Sequence, residues 1–285
     1  MFQQSDLFPA DQIHDDRLIK IVKTTSVELK ISRIIRQIDP TEQHFIVLGD
    51  ECPLSHEQLM KHTNYADTHD KIRLLYKGYY VNYGGITLEK YFSSAPKTSL
   101  NARILNILKQ LTKSINILWE NDIIHNDIKA DNIVIDNNDI VRIIDFGLSW
   151  FKSDKYMDDI NYSVWYPWFM YITGDHPIES VYTQYEYLFQ FFNSNYTRNT
   201  DSDYIFIANT MLTSRTTAKA FHVLFDVPYR QIIDIYMAVE CLFNYVVEKS
   251  DPEYDQIRIA RNKIINPYTA TAFTIKSILT YLETN

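Results

Sequence analysis

Residues 123–147 read IIHNDIKADNIVIDNNDIVRIIDFG, and this stretch decides the fold. Two short apolar runs, NIVI and IVRII, stand on either side of the turn-forming sequence DNND at 136–139, and this pattern predicts a β-hairpin. Asn132 lies where the first strand begins, and Asp145 follows the end of the second. The hairpin therefore brings an amide oxygen and a carboxylate close together.

The same stretch carries the side-chain types that phosphoryl transfer needs. A transferring γ-phosphoryl group spreads negative charge over its oxygens, so a protein mainly positions the reactants and supplies positive charge, much of it through magnesium. Because hard cations bind oxygen, Asn132 and Asp145 are candidate ligands. Asp127 lies five residues before Asn132, near enough to orient or deprotonate an incoming hydroxyl, and Lys129 can reach the same phosphate.

The run HNDIKADN at 125–132, followed by DFG at 145–147, resembles the catalytic loop and the magnesium loop of the eukaryotic-like protein kinase family. The resemblance implies that Asp127 is the catalytic base and that Lys129 contacts the γ-phosphate. It implies equally that Asn132 and Asp145 are the metal ligands and bind the nucleotide through that metal.

The resemblance also implies the cofactors and the substrate class. ATP is the expected phosphoryl donor, with Mg²⁺, or alternatively Mn²⁺, as the metal. A Lys two residues after the catalytic Asp is typical of family members that act on serine or threonine, so Lys129 favours a protein substrate with these hydroxyls. His125 and Phe146 are implied to be packing residues that hold the two loops in place.

A strand and a helix upstream supply candidates for a nucleotide-binding lysine and its partner carboxylate. The sequence RLIKIV at 17–22 alternates as a strand does and resembles the V-A-I-K strand of the family, which makes Lys20 the candidate and Lys23 the alternative. Ser26 is a predicted helix N-cap, and Glu28 borders the apolar face of the helix that follows. By the resemblance, Glu28 pairs with Lys20.

Two features of the N-terminal region depart from the family. No glycine precedes Gly49, and residues 1–16 contain no G-x-G and no convincing pair of strands. The glycine-rich lid that covers the phosphates in the family is therefore predicted to be missing or reduced. Four residues after Glu28, where family members usually place an apolar residue that completes a packed column, the chain has Ser32.

The regulatory positions depart as well. Asn126 stands where most regulated members have an Arg that meets an activation-loop phosphate, so we expect activity that does not depend on loop phosphorylation. The nearest match to the family's A-P-E motif is YPWF at 166–169, and Ala270 occupies the place of the Arg that normally pairs with its Glu. Asp234, near the start of a later apolar helix, corresponds to the family's Asp that steadies the catalytic-loop backbone.

The predicted fold class is α+β, with two lobes as in protein kinases. A reduced N-terminal β lobe spans residues 1–83, and a mainly α-helical C-terminal lobe spans 84–285. The glycine pair at 84–85 follows a predicted strand and precedes a predicted helix, where the family has a hinge that binds adenine through backbone groups. Residues 100–119 have helical apolar spacing and lead into the catalytic loop.

Composition excludes several classes of function. The 28 basic and 36 acidic residues give a net charge of −8, which argues against nucleic-acid binding through a basic face. Cys52 and Cys241 form no disulfide framework, so an intracellular reducing compartment is expected. No apolar run has the length of a membrane span, and the polar N-terminus is not a signal peptide.

Three functions stay open at this point. The first is a serine/threonine protein kinase that uses ATP and Mg²⁺, with an activating or scaffold protein as a potential partner. A second is a pseudokinase that acts as a binding or scaffolding module, which the missing lid favours and the retained catalytic residues oppose. The third is a small-molecule kinase of the same fold, a class that usually lacks a Lys at the position of Lys129. The departures taken together resemble the divergent serine/threonine kinases of large DNA viruses.

Overall fold

The computed structural model describes residues 7–9, 17–55, 57–58, 75–94, 100–153, 233–243, 245–246, 252–265 and 275–284. Strands dominate the N-terminal part of these residues and helices the C-terminal part, so the chain has the predicted α+β fold. The predicted counterpart of the A-P-E motif at 166–169 and Ala270, in the place of its partner Arg, lie outside the described residues.

A four-stranded antiparallel sheet forms the N-terminal part, in the order β1-β2-β4-β3. Its strands are β1 (Leu7–Pro9), β2 (Arg17–Lys23), β3 (Glu51–Cys52) and β4 (Tyr76–Asn82). Residues 1–16, where we expect no convincing pair of strands, contribute one strand to the described part of the chain: β1 pairs with β2 and places Leu7 opposite Lys20. A three-residue strand that ends at a proline is too short to show the alternation that identifies strands in a sequence.

Helix α1 (Val27–Ile38) follows β2 and confirms the predicted helix. The Ser26 hydroxyl accepts a hydrogen bond from the backbone amide of Glu28, so Ser26 is the N-cap. Ile31 and Ile35, one helical turn apart, are almost completely buried. The apolar face of α1 therefore joins the core, and Glu28 is held near its first turn.

A second, three-stranded sheet contains the predicted hairpin. Its strands are β5 (Ile86–Thr87), β7 (Ile133–Ile135) and β8 (Val141–Ile143), in the order β5-β7-β8, and all neighbours are antiparallel. Asp136 closes the hairpin turn, because its carboxylate accepts the amides of Asn138 and Ile140 at 2.8 and 3.0 Å. At Gly85, φ is +122° and a Cβ atom would lie 2.1 Å from the carbonyl oxygen of Ile135, so this approach requires glycine.

The loop after α1 is bound to β8. The carboxylate of Asp39 accepts the three successive backbone amides of residues 43–45, which gives the loop a fixed shape. Ile143 of β8 donates its amide to His44 and accepts one from Ile46 through its carbonyl. Helix α1 is therefore connected through a short, hydrogen-bonded loop to the strand that ends just before Asp145.

Five helices form the C-terminal part of the described residues: α2 (Leu88–Ser94), α3 (Leu100–Glu120), α4 (Ile233–Phe243), α5 (Pro252–Ile265) and α6 (Ile275–Thr284). The predicted helix at 100–119 is α3, and its apolar residues are buried in one core with α1, β7 and β8. A two-stranded ribbon pairs β6 (Ile123–Ile124) with β9 (Trp150–Phe151). No helix within the described ranges is long and apolar enough to cross a membrane.

A buried ion pair joins α4 to α5 and has no counterpart in the sequence analysis. The guanidinium of Arg261 donates to the carboxylate of Glu240 at 2.7 Å, and both side chains are less than a tenth exposed. Arg261 also lies 4.3 Å over the ring of Phe243. Each charge is therefore compensated inside the core.

Candidate active site

Lys20 lies between two carboxylates. From the middle of β2, its ammonium donates to Glu28 Oε1 at 2.6 Å and to Asp145 Oδ1 at 2.8 Å. The alternative, Lys23, is exposed at the end of the strand, where its ammonium lies 6.0 Å from the centre of the Tyr76 ring. The structure thus brings together Lys20 and Glu28, which are 8 residues apart, and Asp145, which follows Lys20 by 125 residues.

Burial and opposite charge act against each other in this triad. Burial on its own would lower the pKa of the Lys20 ammonium, but the charges of Glu28 and Asp145 outweigh it and raise that pKa. Burial would raise the pKa of Asp145, yet Lys20 and the amide of Gly147 hold it below its ordinary value. Burial raises the pKa of Glu28, and Lys20 opposes that rise. A single ammonium thus serves two carboxylates, and the triad is one positive charge short when both are ionised.

Among the described residues, one oxygen of the Asp127 carboxylate accepts hydrogen bonds and the other accepts none. Asp127 Oδ2 accepts from Lys129 Nζ at 2.7 Å and from Asn132 Nδ2 at 2.9 Å, and Asn132 Nδ2 also donates to the Asp127 carbonyl. Within the described residues, Oδ1 has no hydrogen-bond partner. Asp127 is therefore oriented by two neighbours and presents one free acceptor, as a group that binds a hydroxyl must.

Asp234 supports the backbone of the catalytic loop from α4. Its carboxylate accepts the backbone amides of His125 at 2.7 Å and Asn126 at 2.8 Å. The backbone of Asn126 is left-handed, with φ of +67°, so these bonds stabilise a conformation that non-glycine residues seldom adopt. Complete burial raises the pKa of Asp234, although His125 and the two amides act in the opposite direction. The predicted role of Asp234 agrees with this geometry.

Aromatic contacts connect the two loops. His125 donates from Nε2 to the Ile144 carbonyl at 3.0 Å and accepts the Asp127 amide at Nδ1, because a carbonyl can only accept and an amide only donate. Its ring meets Phe146 edge-on at 4.9 Å. His125 and Phe146 therefore pack together as the sequence predicts.

The packed column continues through a residue that sequence reasoning missed. Ser32 is buried, and its hydroxyl accepts the amide of Leu48 at 3.4 Å, so it extends no apolar side chain towards Phe146. Phe45, fully buried in the loop after α1, instead meets Phe146 edge-on at 6.0 Å. The only sequence signal for Phe45 was its place in a short apolar run, which does not indicate its neighbour.

A comparison with known protein families decides what kind of domain this is. The family model described as "Protein kinase domain" matches residues 25–168, just over half of the chain. This chain belongs to the protein kinase domain family. The match includes Glu28, the catalytic loop and the magnesium loop.

Individual relatives share shorter stretches with this kinase domain. "Eukaryotic translation initiation factor 2-alpha kinase 2" of Plasmodium berghei is 38% identical over 73 residues, which cover 26% of this chain and 2% of that protein. "Probable serine/threonine-protein kinase KIN1 homolog" of Encephalitozoon cuniculi is 47% identical over 47 residues, covering 16% and 8%. The match thus spans less than a tenth of the length of either relative. The solved yeast RNA Pol II CTD kinase CTDK-1 complex is similar at 17% identity and a TM-score of 0.39, covering 55% of this chain and 47% of that chain.

The kinase domain has donor atoms that fit a magnesium ion. Asn132 uses Nδ2 for its hydrogen bonds and Asp145 uses Oδ1, so Asn132 Oδ1 and Asp145 Oδ2 have no partner among the described residues. Mg²⁺ typically binds one or two protein oxygens and keeps water or phosphate oxygens as its other ligands. No cluster of three or more His, Cys, Asp or Glu side chains occurs in the described part of the chain. Two oxygen donors beside a triad that lacks one positive charge suit such an ion.

The segment after the magnesium loop of the kinase domain is anchored by uncharged groups. The side-chain amide of Asn126 donates to the Leu148 carbonyl at 3.2 Å, and the Ser149 hydroxyl donates to the His125 carbonyl at 3.0 Å. β9 then pairs with β6, directly before the catalytic loop. The position where the family usually has an Arg thus binds backbone.

Proposed function

We propose that this protein is a serine/threonine protein kinase that transfers the γ-phosphoryl group of ATP to protein hydroxyls with Mg²⁺. One observation carries the proposal: the Lys20 ammonium contacts both Glu28 and Asp145, at 2.6 and 2.8 Å. In protein kinases the pair between the strand lysine and the helix glutamate and the placement of the DFG aspartate are both required for activity. The Lys20 ammonium forms the first of these, and Asp145, which it also contacts through Oδ1, keeps Oδ2 for a metal ion.

The proposed roles are those that the family resemblance implies, and the contacts described above support them. Lys20 binds the α- and β-phosphates, and Asn132 and Asp145 hold Mg²⁺, which, when bound, neutralises charge on the phosphates. Asp127 Oδ1 accepts the proton of the substrate hydroxyl while the hydroxyl oxygen of the substrate bonds to the γ-phosphorus. The bond from that phosphorus to the β–γ bridging oxygen breaks, which leaves ADP. Lys129 stabilises the charge on the transferred group.

The choice of serine or threonine rests on Lys129, two residues after Asp127. The name of the relative from Encephalitozoon cuniculi also gives serine/threonine-protein kinase. The kinship with kinases of large DNA viruses and the division into lobes at 83/84 belong to the same proposal. The lobe boundary is supported by the end of β4 at Asn82 and by the close approach at Gly85.

Independence from loop phosphorylation is part of this function. Asn126 binds the Leu148 carbonyl, and its neutral amide gives a loop phosphate no positive charge to bind. The Lys20–Glu28 pair is nevertheless formed in the unphosphorylated chain. We expect phosphatase treatment to leave activity unchanged.

The test is a transfer assay with the purified protein, labelled ATP, Mg²⁺ and a panel of protein substrates, before and after phosphatase treatment. Asp127→Asn should lower kcat at least about 100-fold, because a general base contributes roughly that much. Asp50→Asn, which changes a side chain that is 84% exposed, is the matched control and should match the wild type. Undiminished transfer by Asp127→Asn would refute the assigned base.

A pseudokinase is the second candidate, and the N-terminal region favours it. β1 has only three residues, and no glycine precedes Gly49 to form a close lid over phosphates. ATP binding without transfer to any protein would support this alternative. Transfer to a small molecule alone would instead support a small-molecule kinase.

A further inference from the structure

A cation–π contact joins helix α1 to strand β9. The Lys30 ammonium of α1 lies 4.5 Å from the centre of the Phe151 ring in β9. Lys30 is otherwise exposed, whereas Phe151 is 8% exposed, so the cation covers the outer face of a buried ring. Cations at this distance are attracted to the electron-rich face of an aromatic ring.

Each side of this contact carries part of the active site. Lys30 lies two residues after Glu28, whose carboxylate binds Lys20. Phe151 pairs with Ile123 of β6, the strand that leads directly into the catalytic loop. The contact therefore connects the helix that positions the nucleotide-binding lysine with the ribbon that precedes the catalytic base.

The β9 side of the contact is held firmly. The Lys152 ammonium donates to the Trp119 carbonyl at 2.6 Å and lies 4.2 Å over the Trp119 ring. The Ser153 hydroxyl donates to the carboxylate of Asp122 at 2.5 Å. Phe151 is thus attached to the end of α3 through the residues that follow it, and Lys30 rests on a ring whose position is set independently of α1.

We propose that Lys30 is a positioning residue that holds α1 against β9 through Phe151, so that Glu28 reaches Lys20 without a phosphorylated activation loop. This inference rests on the proposed kinase function and adds the contact by which that function becomes independent of phosphorylation. With Asn126 in place of the family's Arg, the catalytic loop has no cation there to bind a loop phosphate. Lys30 instead joins α1 to β9 in the unphosphorylated protein.

The expected size of the effect follows from the strength of a partly exposed cation–π contact. Losing it should shift the equilibrium of α1 away from the docked position by roughly threefold to tenfold. Because only the docked helix pairs Glu28 with Lys20, kcat should fall when the undocked state becomes populated. The side chain of Lys30 is exposed, so its replacement should leave the fold intact.

The experiment compares Lys30→Met with Arg33→Met, a matched control on the exposed side of the same helix. Two quantities are measured on phosphatase-treated protein: kcat, and amide hydrogen exchange of residues 27–38. Lys30→Met should speed the exchange of α1 by roughly threefold to tenfold and lower kcat in proportion to the undocked fraction, and Tm should shift by no more than a few degrees. Lys30→Arg should restore both quantities, because an Arg also binds the ring. Arg33→Met should resemble the wild type.

A double-mutant cycle with Phe151→Leu isolates the contact itself. In the Phe151→Leu background, Lys30→Met should have no further effect on exchange or kcat. Equal exchange in Lys30→Met and Arg33→Met, or failure of Lys30→Arg to restore it, would overturn the inference. The exchange measurement needs no catalysis. An inactive wild type would therefore refute the proposed function, while the exchange rates would still show whether Lys30 holds α1 in place.

Discussion

The Asp234 side chain supports the backbone of the catalytic loop from a helix outside the loop. The loop turns sharply at Asn126, whose φ is +67°, and the two amides at that turn have Asp234 as their acceptor. Sequence reasoning identified Asp234 because family motifs fix its place near the start of a helix. It also identified Asp127, Lys129, Asn132 and Asp145, because the chemistry of phosphate and metal restricts these positions to a few residue types.

Replacing the Asp234 carboxylate by an amide is predicted to destabilise this turn. In Asp234→Asn, an amide group replaces one acceptor oxygen, so one buried backbone N–H loses its partner, at a cost of about 1–3 kcal/mol. Urea unfolding measures the loss, and kcat should fall with it because Asp127 is displaced. Asp255→Asn, an exposed change in the first turn of α5, is the control. If Asp234→Asn had the same free energy of unfolding as the wild type, the Asp234 carboxylate would not be what stabilises the turn.

At the scale of elements, the loop between α1 and β3 was the part least accessible to sequence reasoning. Helix α1, helix α3 and the hairpin follow from apolar periodicity and turn residues, since each is built from contacts between near neighbours. β1, β3 and β5 have two or three residues each and are defined only by distant partners. Phe45 is of the same kind, because its packing on Phe146 joins residues about 100 positions apart.

Phe45 is predicted to affect both stability and catalysis. Phe45→Ala would leave a cavity in the core and cost about 3–5 kcal/mol, measured by urea unfolding. Phe45→Leu fills most of that space and should stay folded, yet it removes the edge-on contact with Phe146 that helps to place Asp145. We therefore expect kcat of Phe45→Leu to fall more than its stability suggests. A kcat equal to that of the wild type would assign Phe45 to packing alone.

For the whole molecule, the Lys20 triad is where the sheet-rich part meets the loop between β8 and β9. β2, α1 and the magnesium loop each contribute one charge, and their ionisation is tied to the folded state. The Glu240–Arg261 pair, by contrast, was not predicted, because nothing in the spacing of α4 and α5 indicates which charges are buried together. Motifs thus predict the chemistry of the site, while packing between distant helices is visible only in three dimensions.

The triad predicts a defined dependence of stability on pH. The pKa of Asp145 is lowered from its ordinary value of 3.8, so its stabilisation is complete above that value and is lost as the pH falls through the lowered pKa. The pKa of Lys20 is raised above 10.5, so its contribution is complete below that value and is lost only at higher pH. Because Asp145 also helps to raise the pKa of Glu28, the comparison is made between Glu28→Gln and Glu28→Gln/Asp145→Asn, whose difference in unfolding free energy should be constant from about pH 5 to 9 and shrink in acid.

Urea unfolding across this range measures the difference, with Asp50→Asn as the control whose difference should vary little. In the Glu28→Gln background, an advantage of Asp145 over its Asn replacement that grows towards acid would contradict the lowered pKa of Asp145. The sign is therefore testable without knowledge of any substrate.

The close approach at Gly85 limits how this gene can change over generations. A Cβ atom at 85 would collide with the Ile135 backbone, and one at Gly84 would lie 2.8 and 2.9 Å from side-chain atoms of the buried residues Val134 and Ile46, which would have to shift. Most single-base changes in the codon for residue 85 would therefore be eliminated, and alanine at residue 84 would be tolerated only if the Val134 and Ile46 side chains shift. In genes that descend from this one, we expect the close approach between the segment after β4 and strand β7 to persist only where codon 85 still encodes glycine.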